Sequence, residues 1–379
     1  MKRFLSSLLV LSSALICAQE IPKVLEIGSP LPAFSLPGTD GKTHTQATYG
    51  TSKVLCVIFT SNHCPDSVAA ASRMEKIHQD YKDKGVSLVA VSSNNPVALR
   101  PDELGYSPYG DSFEEMKPFA ESHGWTFPYL YDGDKQEFAT ACGAQSTPHV
   151  FVFDAERKLR YTGRMDDAKR ESGPVDKSYL RDAFDALLAG KEVAEPVTRS
   201  FGCSTKWLFK AENVVKEQKA WEAMTVTLDE LNEELAKTIR QNKSGNVRVI
   251  NFWSTTCGPC VAEFPDLVDT YRRFQNRNVD FISISMDPLE KKDRVGKFLQ
   301  SRNAALSNRT KPSMEKEGRT SNNYIWNGGN PDKLAEAIHP AWTGALPLTV
   351  IISPEGKVVW SHSEQIDVVT LRTEILKHL

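Results

Sequence analysis

An internal repeat constrains the fold of this chain more than any other feature of its sequence. Each copy contains an apolar run, then a cysteine, then a proline that opens a second apolar run. These landmarks lie at 54–59, Cys64 and Pro148 in the first copy, and at 247–252, Cys257 and Pro347 in the second. Short apolar, β-branched runs are typical of buried strands. The recurrence of the whole order predicts one fold used twice.

The composition agrees with this interpretation. A chain of 379 residues is longer than one ordinary core requires. Hydrophobic residues make up 40% and charged residues 25%, which is typical of globular protein rather than of disorder. The formal net charge is only −2, from 46 basic and 48 acidic residues. We therefore expect no nucleic-acid partner and no polybasic membrane surface.

The N-terminus has the pattern of a secretory signal peptide, which we predict at residues 1–18. Two basic residues precede a short apolar run, and Ala18 offers a small residue before the cleavage point. The run has about 13 residues, fewer than the roughly 20 of a membrane-spanning helix. Acylation of Cys17 as a lipoprotein is the alternative, ranked second because the bulky Ile16 precedes it. We expect an extracytoplasmic chain, most simply periplasmic, with no membrane span after cleavage.

The second copy carries the motif Cys257-Gly258-Pro259-Cys260 directly after its strand, where a helix should begin. Two intervening residues allow the sulfurs to meet as a reducible disulfide. Unpaired amides at a helix N-terminus stabilise a thiolate at Cys257, and Cys260, one turn deeper, is the natural resolving thiol. A structural zinc site would need further ligands, and this copy has no other cysteine.

The second copy, over 226–379, resembles the TlpA/ResA-like extracytoplasmic branch of the thioredoxin superfamily. The resemblance rests on N-F-W-S-T-T-C-G-P-C-V-A-E-F-P at 251–265 and on W-T-G-A-L-P at 342–347. It implies a catalytic Cys257/Cys260 pair that exchanges with protein disulfides. It favours the direction of a reductant, supplied by an extracytoplasmic or membrane electron donor. No cofactor is expected.

The same resemblance assigns roles to two further residues. Pro347 is implied to be a cis proline beside the disulfide, and Glu263 to accept and donate a proton. Glu263 lies three residues beyond Cys260, on the same helix face. A partly buried carboxyl group there would have a raised pKa, which suits proton exchange with Cys260. A solvated helix residue is the alternative for Glu263.

The first copy keeps one cysteine of the pair, Cys64, and Ser67 replaces the resolving cysteine. This half resembles, over about 26–207, thioredoxin/peroxiredoxin-like (AhpC/TSA-related) domains that have a C-N-H-C-P signature. The matching pieces lie at 62–65, 127–132, 147–149 and 202–207. Ser61 stands where the first cysteine of that signature would be.

Three roles compete for Cys64. It could work with another cysteine, either Cys142 or Cys203. It could be a peroxidatic thiol, which the serine three residues earlier fits. However, that pattern also expects a proline seven residues before the cysteine and a nearby arginine, and the sequence supplies neither at the expected places. It could also bind copper together with His63 and His149, although the usual second cysteine is missing. A partner-docking domain without chemistry is the remaining possibility.

Together these patterns predict an α/β protein with two tandem thioredoxin-fold domains, each a mixed central sheet flanked by helices. The predicted segments are a signal peptide at 1–18, a first domain at 24–207, a linker helix at 208–225 and a second domain at 226–379. The polar segment 307–331 is predicted to be an inserted surface loop. We predict a thiol:disulfide oxidoreductase whose first domain serves as a monothiol, relay or docking module. A thiol peroxidase at Cys64, recycled by the second domain, is the main alternative, and a copper-binding module is another.

Overall fold

The computed structural model describes residues 20–168 and 175–379. The predicted signal peptide at 1–18, which includes Cys17, therefore lies outside the described residues. Two separate mixed sheets, each flanked by helices, confirm the predicted α/β class. Among the described residues, no helix combines the length and the apolar character needed to cross a bilayer.

The first domain contains nine strands among its described residues. They are β1 (Ser35–Pro37), β2 (Thr43–Thr45), β3 (Val54–Thr60), β4 (Val86–Ser92), β5 (Tyr129–Tyr131), β6 (Ser146–Thr147), β7 (His149–Phe153), β8 (Leu159–Gly163) and β9 (Cys203–Ser204). The central sheet has the order β5-β4-β3-β7-β8, in which β3 runs parallel to β4 and antiparallel to β7. The short strands β6 and β9 form a separate antiparallel pair.

Helices pack on this sheet, and the first of them begins directly after Cys64. They are α1 (Pro65–Tyr81), α2 (Phe113–Ser122), α3 (Glu137–Cys142) and α4 (Tyr179–Leu188), and α5 (Ala211–Glu222) follows before the second domain. Helix α1 begins with Pro65, whose missing N–H costs nothing in the first turn. Its buried residues Ala70, Met74, Ile77 and Tyr81 recur at helical spacing and pack on the sheet.

The second domain repeats this plan with a six-stranded sheet. Its strands are β10 (Asp229–Leu231), β11 (Val247–Trp253), β12 (Val279–Ser285), β13 (Asn323–Trp326), β14 (Leu348–Ile352) and β15 (Val358–Ser363). Its helices are α6 (Glu233–Gln241), α7 (Gly258–Phe274), α8 (Lys292–Ser301), α9 (Lys311–Glu315), α10 (Pro331–Ile338) and α11 (Val368–Leu376). The sheet order is β10-β13-β12-β11-β14-β15, with β11 parallel to β12 and antiparallel to β14.

The prediction of a surface loop at 307–331 is wrong. This segment contains helix α9 and strand β13, and β13 lies between β10 and β12 in the sheet. Its polar residues are not all solvated, since Arg319 is fully buried and bonded to Asp280 of β12. The polar composition of the segment therefore reflects buried ion pairs as well as exposed positions.

Candidate redox sites

The cysteine pair of the second domain lies at the start of α7. Cys257 is the N-cap of this helix, Cys260 lies in its first turn, and the two form a disulfide. The Cys260 amide also donates a hydrogen bond to Cys257 Sγ over 3.3 Å. Cys257 is partly exposed, whereas Cys260 is fully buried. An incoming sulfur can therefore reach Cys257 but not Cys260.

Two neighbours shape this site. The Leu346–Pro347 peptide bond is cis, as the resemblance implies. Leu348, the first residue of β14, pairs with Phe252 of β11. Pro347 therefore lies beside the C-terminal end of β11, from which the chain leads to Cys257. Trp253 is buried and packs against Phe264 and Phe298, with ring centroids 4.7 and 4.8 Å away. It forms part of the core beneath the motif.

Glu263 is almost fully buried, with a relative exposure of 2%. The Asn251 side-chain amide donates to Oε1 and the Ile366 amide donates to Oε2, each over 3.0 Å. Burial raises the pKa of the Glu263 carboxyl group, and these two donors oppose the rise without cancelling it. A buried carboxyl group with a raised pKa is suited to exchange a proton with a neighbouring thiol.

Cys64 of the first domain occupies the matching helix start, as the N-cap of α1. Unlike Cys257, it is fully buried. Its Sγ donates to the Thr147 carbonyl oxygen over 3.0 Å and accepts from the Cys203 amide over 3.4 Å. Thr147 and Cys203 face each other in the β6–β9 pair, and the Thr147–Pro148 peptide bond is cis. Cys64 is therefore held against a strand pair that also carries a second cysteine.

A buried polar network lies directly beside Cys64, and the sequence reasoning missed its centre, Asp111. The carboxylate of Asp111 accepts from His63 Nδ1 over 2.7 Å, from the amides of Asn62 and His63, and from the Asn94 side chain. Burial would favour neutral His63, but the charge and hydrogen bond of Asp111 outweigh it and raise the pKa of that imidazole. Asp111 immediately precedes a helix N-terminus, which is the only sequence signal that marks it.

These surroundings set opposite tendencies for the two neighbouring thiols. Burial opposes ionisation of Cys64, but contacts with Cys203, the charge of His63 and the Ser67 amide lower its pKa to about 6. The bond to the Thr147 carbonyl oxygen is available only to the protonated thiol. The hydrogen bond with Cys64, together with burial, raises the pKa of Cys203 well above its usual range. Cys64 is therefore the more acidic thiol of the two.

The structure separates the other candidates from this site. Cys56 and Cys142 are fully buried in two different apolar clusters, and burial raises the pKa of both thiols. His149 has its ring nitrogens beside the Gln145 amide (3.3 Å) and the Thr162 hydroxyl (3.2 Å), and burial lowers its pKa to about 4. Of the two cysteines considered as partners for Cys64, Cys142 and Cys203, only Cys203 lies next to it.

One cluster of potential metal ligands occurs in the described ranges 20–168 and 175–379. It consists of Cys64, Asp66 and Cys203, whose ligand atoms all lie within 4.8 Å of one another. His63 and His149 are not members of it. The proposed copper set of His63, Cys64 and His149 is therefore not the set that the fold brings together.

Comparison with known proteins identifies related families for both halves. The Redoxin family profile matches residues 26–178, and the AhpC/TSA family profile matches residues 220–361. A Mycobacterium tuberculosis protein provisionally named as a peroxiredoxin is 25% identical over 140 residues, which are 37% of this chain and 78% of that protein. The thiol-disulfide oxidoreductase ResA of Bacillus subtilis is 27% identical over 110 residues, 29% of this chain and 49% of that protein.

One solved structure is similar to about half of this chain. The crystal structure of a hypothetical protein from Sinorhizobium meliloti is 35% identical, covers 49% of this chain and 96% of its own, and has a TM-score of 0.44.

Proposed function

This chain is an oxidoreductase of the thioredoxin superfamily, and we propose that it reduces protein disulfides through Cys257 and Cys260. It has two tandem thioredoxin-fold domains, with TlpA/ResA-like and peroxiredoxin-like parts. One observation carries the proposal: a partly exposed cysteine caps a helix, and its disulfide partner lies buried one turn deeper. This arrangement offers one sulfur to a substrate and keeps the second for resolution.

The reaction follows from these positions. In the reduced protein, the Cys257 thiolate attacks a substrate disulfide, and one substrate sulfur leaves as a thiolate and takes up a proton. Cys260 then loses its proton to Glu263 and attacks Cys257 Sγ. The second substrate sulfur leaves, so that two substrate thiols form and the protein retains the Cys257–Cys260 disulfide.

Replacing Cys260 with alanine should trap the intermediate. The reduced variant, incubated with insulin and quenched with iodoacetamide, is expected to accumulate about one mixed disulfide per chain, because no resolving thiol remains. Mass spectrometry of proteolytic peptides should place the insulin peptide on Cys257.

Two controls make this result specific. Cys257→Ala should form no adduct in the second domain. Cys142→Ala, added to the Cys260→Ala variant, removes a buried thiol elsewhere and should leave trapping unchanged. If Cys260→Ala accumulates no mixed disulfide at Cys257, and a chain that carries Cys64→Ser and Cys203→Ser does not reduce insulin, the proposed function is wrong.

The direction of transfer depends on the reduction potential of the Cys257/Cys260 couple. We expect a value closer to the roughly −270 mV of thioredoxin than to the roughly −120 mV of the oxidant DsbA. Equilibration with glutathione buffers, in a chain that carries Cys64→Ser and Cys203→Ser, would measure this couple alone. A potential near that of DsbA would make the protein an oxidant.

The remaining assignments belong to the same proposal. We assign the chain to the periplasm, supported by the signal-like N-terminus, with 24–207 and 226–379 as its domains and 208–225 as the linker. An electron donor at or beyond the membrane would then have to regenerate the dithiol. The first domain would serve as a relay or docking module for the same substrates.

A thiol peroxidase at Cys64 is a second candidate function. The lowered pKa of Cys64 favours it, as does the similarity to peroxiredoxin-related proteins. However, the Ser61 hydroxyl donates to Thr147 rather than to Cys64, and in the described part of the chain no arginine is bonded to this sulfur. Rapid peroxide consumption by the full chain, lost in Cys64→Ser, would favour this candidate.

A further inference from the structure

The two cysteine sites differ in which sulfur is exposed to solvent, the helix-capping one or its neighbour. In the second domain the helix-capping Cys257 is partly exposed and its partner is buried. In the first domain the helix-capping Cys64 is buried, and the partly exposed thiol is Cys203, on strand β9. The Sγ atoms of Cys64 and Cys203 lie within 4.8 Å of each other.

The approach of Cys203 depends on the glycine before it. Gly202 has a φ of +147°, and a Cβ at this position would lie 2.1 Å from the Thr147 carbonyl oxygen. Because only glycine avoids this clash, Gly202 lets β9 pair with β6 beside the Cys64 sulfur.

The residues after Cys203 hold the strand in place. The Thr205 hydroxyl donates to the Ala144 carbonyl oxygen over 2.6 Å, and the Lys206 amide donates to Asn94 Oδ1 over 2.8 Å. Trp207 is buried in the core of the first domain. The position of Cys203 beside Cys64 is therefore built into the fold on both sides of β9.

We propose that Cys64 and Cys203 form a second redox couple, in which Cys203 is the sulfur that meets the partner and Cys64 is the buried leaving group. The proposal extends the thiol-disulfide chemistry of the proposed function to the first domain. It does not require the Cys257/Cys260 couple to be active.

The reaction of the oxidised couple balances as follows. A partner thiolate attacks Cys203 Sγ, the Cys64–Cys203 bond breaks, and Cys64 leaves as a thiolate. The partner's second thiol loses its proton and attacks its own sulfur in the mixed disulfide, which releases Cys203 as the second thiolate. The partner dithiol is thus oxidised to a disulfide, and two electrons reduce the couple to two thiols.

The surroundings fit these two roles. A thiol of low pKa leaves faster, and contacts with Cys203, the charge of His63 and the Ser67 amide stabilise the anion of Cys64. Cys203 recovers its proton because its own pKa is raised beside Cys64.

A full chain that carries Cys257→Ser and Cys260→Ser tests the couple without the second domain's chemistry. Oxidation with glutathione disulfide is expected to remove two alkylatable thiols, and peptide mapping should show a Cys64–Cys203 link. The same treatment of a chain that also carries Cys142→Ser should give the same link, because Cys142 is buried elsewhere.

Single variants in this background test the roles. Cys64→Ser is expected to hold about one glutathione on Cys203, because the thiol that would displace it is gone. Removal of Cys64 also removes the interaction that raises the pKa of Cys203. Cys203→Ser should hold little glutathione, because Cys64 is fully buried. Circular dichroism would verify that each variant is folded.

Three results would overturn the proposal. They are a glutathione adduct on Cys64 as the main product in Cys203→Ser, a disulfide that involves Cys142, and a stoichiometric metal ion that keeps Cys64 and Cys203 from oxidation. None of them would bear on the Cys257/Cys260 couple, which this background lacks. Failure of the insulin trapping experiment would conversely leave the Cys64/Cys203 couple intact.

Discussion

Replacing Asp280 with alanine is expected to lower the free energy of unfolding of the second domain by about 3–5 kcal/mol, the usual cost of removing one partner from a buried ion pair. Asp280 accepts from Arg248 Nε over 2.9 Å and is also bonded to Arg319. Glu317 accepts from the same two arginines. The side chains of all four residues are fully shielded from solvent.

The size of the effect follows from the charge balance of this cluster. Two guanidinium groups and two carboxylates are neutral together, so each charge has a partner among side chains that are shielded from solvent. Alanine at position 280 would leave two buried guanidinium groups facing the single carboxylate of Glu317. Because solvent cannot screen the excess charge, the folded state bears its desolvation cost.

Hydrogen exchange in increasing urea can measure this loss for one domain at a time, since peptides from β11 and β12 report on the second sheet. Glu233→Ala is a matched control, because the Glu233–Lys237 pair is exposed and contributes little. Asp280→Asn, which keeps an acceptor but removes the charge, should fall between the two. Exchange in Asp280→Ala that matches the unaltered chain would show that the cluster does not stabilise the fold.

This cluster also illustrates what the sequence could not predict. Arg248 and Asp280 face each other across neighbouring strands, but their pairing depends on a register that only the folded sheet defines. Glu317 and Arg319 come from the polar segment that looked like a surface loop. Polar residues read one by one indicate solvent exposure, and only tertiary contacts show that their charges cancel in the interior.

In the candidate sites, too, local features could be predicted from the sequence and contacts between distant residues could not. The Cys257/Cys260 pair and the helix after it could be predicted, because both cysteines and the helix start lie within one local motif. The neighbour of Cys64 could not be chosen between Cys142 and Cys203, which lie 78 and 139 residues away. Asp111 was missed for the same reason, since its contact with His63 joins residues 48 positions apart.

Replacing Glu263 with glutamine is expected to slow the attack of Cys260 on a mixed disulfide by about 10²-fold, a typical contribution of a positioned proton acceptor. We expect this because glutamine cannot take the Cys260 proton. An aromatic disulfide that releases a coloured thiol resolves the steps, since attack by Cys257 releases the first thiol and attack by Cys260 releases the second. The measurement uses a reduced chain with Cys64→Ser and Cys203→Ser, so that only the second domain reacts.

The pH dependence separates proton transfer from a merely structural role. A base must be ionised, so the rate of the second phase should rise with pH as Glu263 loses its proton. Burial raises the pKa of this carboxyl group, and the rise in rate should therefore be centred above the ordinary value of 4.5. In Glu263→Gln that limb should disappear, and the rate should rise only as Cys260 itself ionises. An unperturbed thiol has a pKa of about 8.5.

The exposed Asp266, three residues further along α7, provides the control for charge alone. Asp266→Asn removes a carboxylate from the same helix and leaves the Glu263 side chain in place. Because the charge of Asp266 contributes to the raised pKa of Glu263, the acidic limb should move to slightly lower pH but persist. A Glu263→Gln variant that is slowed equally at every pH, with the acidic limb intact, would mean that Glu263 only supports the helix. Loss of that limb in Glu263→Gln, together with its retention in Asp266→Asn, would identify the buried carboxyl group as the proton acceptor for Cys260.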